Sequence, residues 1–228
     1  FKTVNTGGAP IGTWASGGDM NRVSTSRWSA GTQTAQIASA GGYAPGGRLA
    51  LAEVYDGSSW TEVADLNEAR SNEAGAGSGT TTAALTYGGN QPGFSTSTES
   101  WNGSAWTEVN DLSQGRRGLY GIGTSTATLA YAGQSGPGST YSVNTESWNG
   151  SSWTETNNLN TGRAGGSGAG TVYTAALAVG GYAPTNAVVE QWDGSSWTEV
   201  GDLNSARGSM GSRAGTATSA IIAGGNSP

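Results

Sequence analysis

An all-β fold of repeated four-stranded sheets is what this sequence predicts, and three observations predict it. First, one phrase recurs: "YDGSSWTEV" begins at Tyr55, "WNGSAWTEV" at Trp101, "WNGSSWTET" at Trp148 and "WDGSSWTEV" at Trp192. Second, its second tryptophan (Trp60, Trp106, Trp153, Trp197) recurs at spacings of 46, 47 and 44, and one more step of 46 back lands on Trp14. Third, each copy divides into short β-rich runs between turn clusters, with no helical period. A period of roughly 40–50 residues with four strands per copy is that of a propeller blade. The prediction is a single domain over residues 1–228: a five-bladed β-propeller with four antiparallel strands per blade.

The copy around Trp106 shows the elements in order. A strand of small residues, "AGAGSGT" (74–80), comes first and suits the crowded centre. "AALTYGG" (83–89) follows, then "STESW" (97–101) and "AWTEV" (105–109). The second strand has counterparts in "IASAGG" at 37–42, "TLAYAG" at 128–133, "ALAVGG" at 176–181 and "AIIAGG" at 220–225. Between third and fourth strands stands Asn-Gly (102, 149) or Asp-Gly (56, 193), which shares tolerance of the positive φ a tight hairpin needs. The last copy stops after its second strand, while the first 16 residues hold the missing outer half. Joining them would close the ring and leave no open sheet edge there.

Composition removes several chemistries. The chain has no Cys and no His, which excludes disulfides, thiolate and imidazole metal ligation, and Ser-His-Asp or Cys-His catalysis. A net charge of −6 disfavours nucleic acid as a partner. No apolar run approaches the ~18 residues of a membrane span, so no membrane insertion is expected. Glycine is abundant, at 40 residues, but nine Trp and eight Tyr at regular spacing can bury large apolar areas, so the chain is expected to fold.

In "ALAVGG", "VVEQW" and "SSWTEV" (176–200) a glycine pair ends the second strand, an apolar-Glu-apolar-aromatic strand follows, and Trp stands on the fourth. This order resembles the kelch repeat, and the resemblance covers essentially the whole chain. The third copy departs from it, with Ala132-Gly133 for the glycine pair. The wording around "WNGSSWTE" also looks like kelch-type repeats in structural proteins of marine bacteriophages. The resemblance implies binding or scaffolding, with oxidases as the enzymatic exception. The copper oxidase of the wider family depends on Cys, His and Tyr ligands, two of which are absent.

Each candidate site has a structural explanation beside the functional one. Asn102-Gly-Ser and Asn149-Gly-Ser match a glycosylation sequon, but Asp56 and Asp193 at the same place cannot carry a glycan. The tryptophan pairs could stack sugars, although their recurrence favours packing between blades. Glycine runs at 75–79 and 166–170 lack the following helix that a phosphate loop needs. Asp19, Asp65, Asp111 and Asp202 could ring a cation or simply form turns; no metal and no cofactor is expected. Arg70, Arg116, Arg163 and Arg207 are expected around one channel mouth. There they would meet an anionic ligand or, in the favoured reading, pair with blade carbonyls or the repeating Glu53, Glu99, Glu146 and Glu190. All acidic residues but Glu68 and Glu73 repeat, which is poor material for a two-carboxylate glycosidase.

What varies is the loop after each glycine pair: 43–51, 90–98, 134–144 and 182–188. Variable loops on a rigid frame are where binding usually resides. Tyr43, Gln91, Phe94, Gln134, Tyr141 and Tyr182 are therefore the candidate ligand-binding residues, suited to a neutral sugar or a protein surface. Trp28 and Tyr120 are expected to narrow the channel. The expected function is a non-enzymatic binding module on a virion or another extracellular surface, recognising glycan or protein. The alternatives are a structural virion component that contacts other virion proteins and, last, a glycan-active enzyme.

Overall fold

The structure, a computed structural model, describes residues 17–43, 47–76, 78–182, 186–210 and 212–226. Among these there is no helix. Four antiparallel sheets of four strands follow one another along the chain. The first joins Trp28–Thr32, Ala35–Ser39, Ala52–Tyr55 and Trp60–Val63. The second joins Ala74–Gly75, Ala84–Tyr87, Thr98–Trp101 and Trp106–Val109. Tyr120–Thr124, Ala127–Tyr131, Thr145–Trp148 and Trp153–Glu155 make the third, and Ser167–Val172, Ala175–Gly181, Asn186–Trp192 and Trp197–Glu199 the fourth. A two-stranded sheet, Ser212–Thr216 with Ser219–Ala223, comes last. Trp14 and the expected N-terminal outer strands lie outside the described residues.

Strand order within each sheet follows chain order, as expected for this repeat. One boundary differs. The first strand expected over 74–80 covers only Ala74–Gly75. Beyond Ala76 the chain leaves its own ladder, and the Ser78 N–H donates to the Gly123 carbonyl of the next sheet at 2.8 Å.

The recurrent phrase forms the outer hairpin. Register pairs Tyr55 with Trp60, Trp101 with Trp106, Trp148 with Trp153 and Trp192 with Trp197, leaving a four-residue loop in each. Only the glycines (Gly57, Gly103, Gly150, Gly194) take positive φ, near 100°. The preceding Asp or Asn acts differently from the expectation. Its Oδ1 accepts the N–H groups two and three residues on, at 2.8 Å each in Asp56 and at 2.9 and 3.0 Å in Asn102. Asp and Asn interchange because the turn needs a carbonyl-like oxygen, not a left-handed backbone.

The glycine pair is also redefined. Its first member takes positive φ in every copy, at Gly88, Gly180 and Gly224 but also at Ala132 (60°) and Ala40 (56°). In the first copy the pair is thus Ala40-Gly41, not the Gly41-Gly42 of the sequence pattern. The second member is always glycine. At Gly133 a Cβ would stand 2.9 Å from Leu119 Cβ and 3.2 Å from the Arg117 carbonyl. Its N–H donates 2.8 Å to the Arg163 carbonyl, stapling one sheet to the connection that enters the next.

Aromatic side chains fill the space between sheets. Trp197 of the fourth sheet packs on Tyr131 of the third at 4.8 Å between ring centroids, and Trp153 packs on Tyr87 of the second at the same distance. Trp197 Nε1 donates to Thr145 Oγ1 and Trp153 Nε1 to Thr98 Oγ1, each across the sheet boundary. Burial of one such side chain contributes a few kcal/mol, on the order of ~2–3. Trp101, Trp148 and Trp192 are buried as well, so each tryptophan pair among the described residues keeps at least one ring away from a stacking sugar.

Candidate functional site

The repeating arginines lead into the site. Arg70, Arg116 and Arg163 are wholly buried. Their Nη2 atoms pair with Glu99, Glu146 (2.6 Å) and Glu190. Their Nη1 atoms donate to two carbonyls, at 2.7 and 3.0 Å for Arg116 with Asn144 and Ala132. The other carboxylate oxygen accepts the Asn67, Ser113 or Asn160 N–H from the connection that left the previous sheet. These guanidinium groups lie inside the sheets rather than around a mouth, and a ligand at the surface would not meet them. A buried charge must be paired, and the third-strand glutamate does so. Burial also pushes the Arg116 pKa down, while Glu146 opposes the shift.

Two positions break this pattern. The first repeat has Ser24 where the others have Arg, and Arg27, three residues later, reaches back to Glu53 at 3.2 Å and to the Ala40 carbonyl. Arg207, in the last repeat, is half-buried and donates to the Gly224 carbonyl at 3.2 Å. The Asp ring serves the backbone. Asp111 Oδ1 accepts Thr98 N–H and Asn158 Oδ1 accepts Thr145 N–H, each at 3.1 Å, so an uncharged residue does the same work. Among the described residues no group of three or more acidic, His or Cys side chains gathers.

The variable loops lie beside the arginine connections, on one face. Short bridges tie Ser71 to Asn90, Arg117 to Gln134, Ala164 to Tyr182 and Gly208 to Asn226. Phe94, Arg117 and Gln134 form one cluster, and Gln91, Glu68 and Ser97 form another. Arg117 stands over the Phe94 ring, 5.3 Å from its centroid, and its Nε donates to Gln134 Oε1 at 3.0 Å. Gln91 donates to Glu68, which also accepts from Ser97 Oγ at 2.7 Å. These bonds, that from Gln91 foremost, hold the Glu68 carboxyl below its ordinary pKa. Tyr141 bridges to Gln134, and the Tyr182 hydroxyl meets Ser209. Gln91, Phe94, Gln134, Tyr141 and Tyr182 are all half-buried. The backbone of Tyr43 pairs with Gly47, and its side chain lies outside the described part of the molecule.

Beneath this face runs a cavity of about 700 Å³. Every repeat lines it, through Trp28, Glu73, Tyr120, Ser167 and Met210 among others. Trp28 and Tyr120 thus stand where the channel was expected to narrow. Glu73 is the one acidic side chain among the described lining residues. Its Oε1 accepts the Trp28 N–H at 3.1 Å, and burial raises its pKa to about 7. Arg117 and Glu73 were not among the expected ligand-binding residues. Both fall outside the repeat, and that irregularity was the only signal in the sequence.

No family model matches the chain, and no curated protein matches it. Among solved structures, 173 chains match it. One of them, described as the structure of YjhT, superposes with a TM-score of 0.66 at 14% identity, covering 83% of this chain and 68% of that one. The fold is propeller-like. At this identity the likeness speaks for the fold alone.

Proposed function

We propose that the chain is a five-bladed kelch-type propeller acting as a non-enzymatic binding module, which recognises a glycan or protein surface through its loop face. Ring closure by the N-terminal segment belongs to this proposal. Ile221 occupies the place of Ile37, Leu85 and Leu129, which are fully buried, yet it is 74% exposed. An edge so apolar calls for a cover, and Trp14 stands at the period that would supply one. Removing residues 1–16 is expected to lower the thermal midpoint and promote association; an unchanged midpoint would argue against closure.

The observation that carries the binding reading is the cluster of Phe94, Arg117 and Gln134, three non-repeating side chains that meet on the loop face. A frame that repeats has no packing need for such a cluster. Against an enzyme, the cavity offers Glu73 no opposing carboxylate among its described lining residues, and Glu68 is spent on Gln91 and Ser97. The proposed setting is a virion or another extracellular surface, with other virion proteins as further partners. A glycan array with the whole chain tests the reading. Selective binding that Phe94→Ala weakens supports it, and no binding to any glycan at high concentration counts against glycan recognition.

A further inference from the structure

On the loop face, Asn90 pairs with Phe94 and Gln91 with Gly93, which makes a tight hairpin around Pro92. Its tip is open: Pro92 and Gly93 are exposed, and a Cβ on Gly93 would meet nothing within 4 Å. Two cations flank it. Arg48, from the loop of the first sheet, brings Nη2 to 3.5 Å from the Asn90 amide. Arg117, from the connection into the third sheet, lies over Phe94 at 5.3 Å from the ring centroid. Neither arginine forms an ion pair among the described residues.

Arg117 is also held in place. Its Nε donates to Gln134 Oε1 at 3.0 Å, and Gln134 Nε2 donates in turn to the Gly136 and Gly138 carbonyls at 3.0 and 2.6 Å. Nη1 and Nη2 have no partner among the described residues and remain open to solvent. The guanidinium is thus fixed on its inner side and free along its outer edge, which lowers the ordering cost of binding. Glu68, the acid bonded to this hairpin, already accepts from Gln91 and Ser97. Two arginines against that one carboxylate leave the hairpin with an excess of positive charge.

We infer that the 90–94 hairpin and its two arginines dock an acidic segment of a partner protein, one carboxylate of which takes the free edge of Arg117. The inference rests on the loop-face reading and names the partner's chemistry. A guanidinium edge meets a carboxylate with two parallel N–H donors, the strongest form of such a contact. Arg48 is exposed and adds a weaker attraction. The rest of the surface opposes indiscriminate capture of acids. The chain carries −6 overall, and Glu62, Glu108, Glu155 and Glu199 stand exposed on the fourth strands. A protein is favoured over an acidic glycan because an exposed hairpin tip has no concave walls to bury a sugar unit. Arginine and aromatic side chains, by contrast, are enriched where proteins meet.

The test titrates fluorescein-labelled peptides of alternating Gly-Glu, Gly-Gln or Gly-Lys with the full chain and reads fluorescence anisotropy at low and high salt. The Gly-Glu peptide is expected to bind, with the other two about ten-fold weaker or worse. High salt should weaken it several-fold. Arg117→Gln is expected to cost about five- to ten-fold and Arg48→Gln about two- to three-fold. Arg117→Lys keeps the charge without the fork and should fall between Arg117→Gln and the parent. Glu199→Gln, on the fourth strand of another sheet, should stay within about two-fold. If Arg117→Gln loses its native near-ultraviolet dichroism, Arg48→Gln carries the comparison. No binding of the Gly-Glu peptide, or binding unchanged in both arginine variants, overturns the inference. An oligoglucuronate that binds through Arg117 where the Gly-Glu peptide does not would overturn the protein partner and assign the carboxylate to a glycan. Neutral glycans that bind and respond to Phe94→Ala, without any acidic peptide binding, would sink the acidic partner and leave the loop-face reading standing.

Discussion

The Glu146 carboxylate meets the Arg116 guanidinium at 2.6 Å although the two are 30 residues apart, and neither touches solvent. The pair lies where one sheet hands over to the next, because the other oxygen of Glu146 accepts Ser113 N–H from the connection. Removing one partner leaves a charge buried alone. Arg116→Met or Glu146→Gln should therefore cost about 3–5 kcal/mol, and replacing both with apolar side chains of similar volume should cost much less. Denaturant midpoints of the singles and the double test this. Additive losses in the double variant would show that the two do not act as a pair.

Gly133 and Ala132 make opposite predictions from neighbouring positions. Both have positive φ, but only Gly133 (102°) has Leu119 and the Arg117 carbonyl where a Cβ would go. Gly133→Ala should destabilise by about 2–3 kcal/mol. Ala132→Gly should stay within about 1 kcal/mol of the parent, since relief of the left-handed strain offsets the added chain entropy. Equal losses at both positions would contradict this account.

This asymmetry also shows what could be read from the sequence. Period, strand order and the packing role of Trp153 and Trp197 follow from recurrence, because each repeat solves the same packing problem. The pairing of Arg116 with Glu146 was legible as one of two alternatives. The hairpin was right in place and wrong in mechanism, since a two-letter pattern does not reveal whether backbone or side chain meets the requirement. Arg27 was hidden because it reaches the glutamate from three residues beyond the regular place. The bond from the Trp28 N–H to Glu73 arises only where two sheets meet, and no spacing within one copy records it.

Glu73 predicts a pH dependence of stability. Its carboxyl is raised from 4.5 to about 7, chiefly by burial, with the Trp28 N–H and the charges of Arg70 and Arg27 pulling the other way. Between those values the folded chain holds the proton and the unfolded chain does not. The contribution is fully present below pH 4.5 and is lost as pH rises through about 7. At about 1.4 kcal/mol per unit, the swing is on the order of 3 kcal/mol. Glu73→Gln should remove it, so the variant should gain on the parent in thermal midpoint from pH 5 to pH 8. A constant difference across that range would show that folding does not raise the Glu73 carboxyl above its unfolded value.

The hairpins at Asp56 and Asp193 predict the opposite sign. Each carboxylate is held at about 2 instead of 3.8, mainly by the N–H groups of Ser59 and Ser58, or of Ser196 and Ser195. Their contribution is present above pH 3.8 and is lost as pH falls through about 2. Asn102 and Asn149 make the same bonds without a titrating group, so their hairpins should keep them in acid. Amide exchange read by NMR separates the four. Ser58, Ser59, Ser195 and Ser196 should lose protection between pH 4 and pH 2, relative to Ser104, Ala105, Ser151 and Ser152. Asp56→Asn should bring Ser58 and Ser59 into line with the asparagine hairpins, and Asp56→Ala should expose them at every pH. Protection that survives Asp56→Ala would mean that Gly57 and the flanking ladder alone hold the turn.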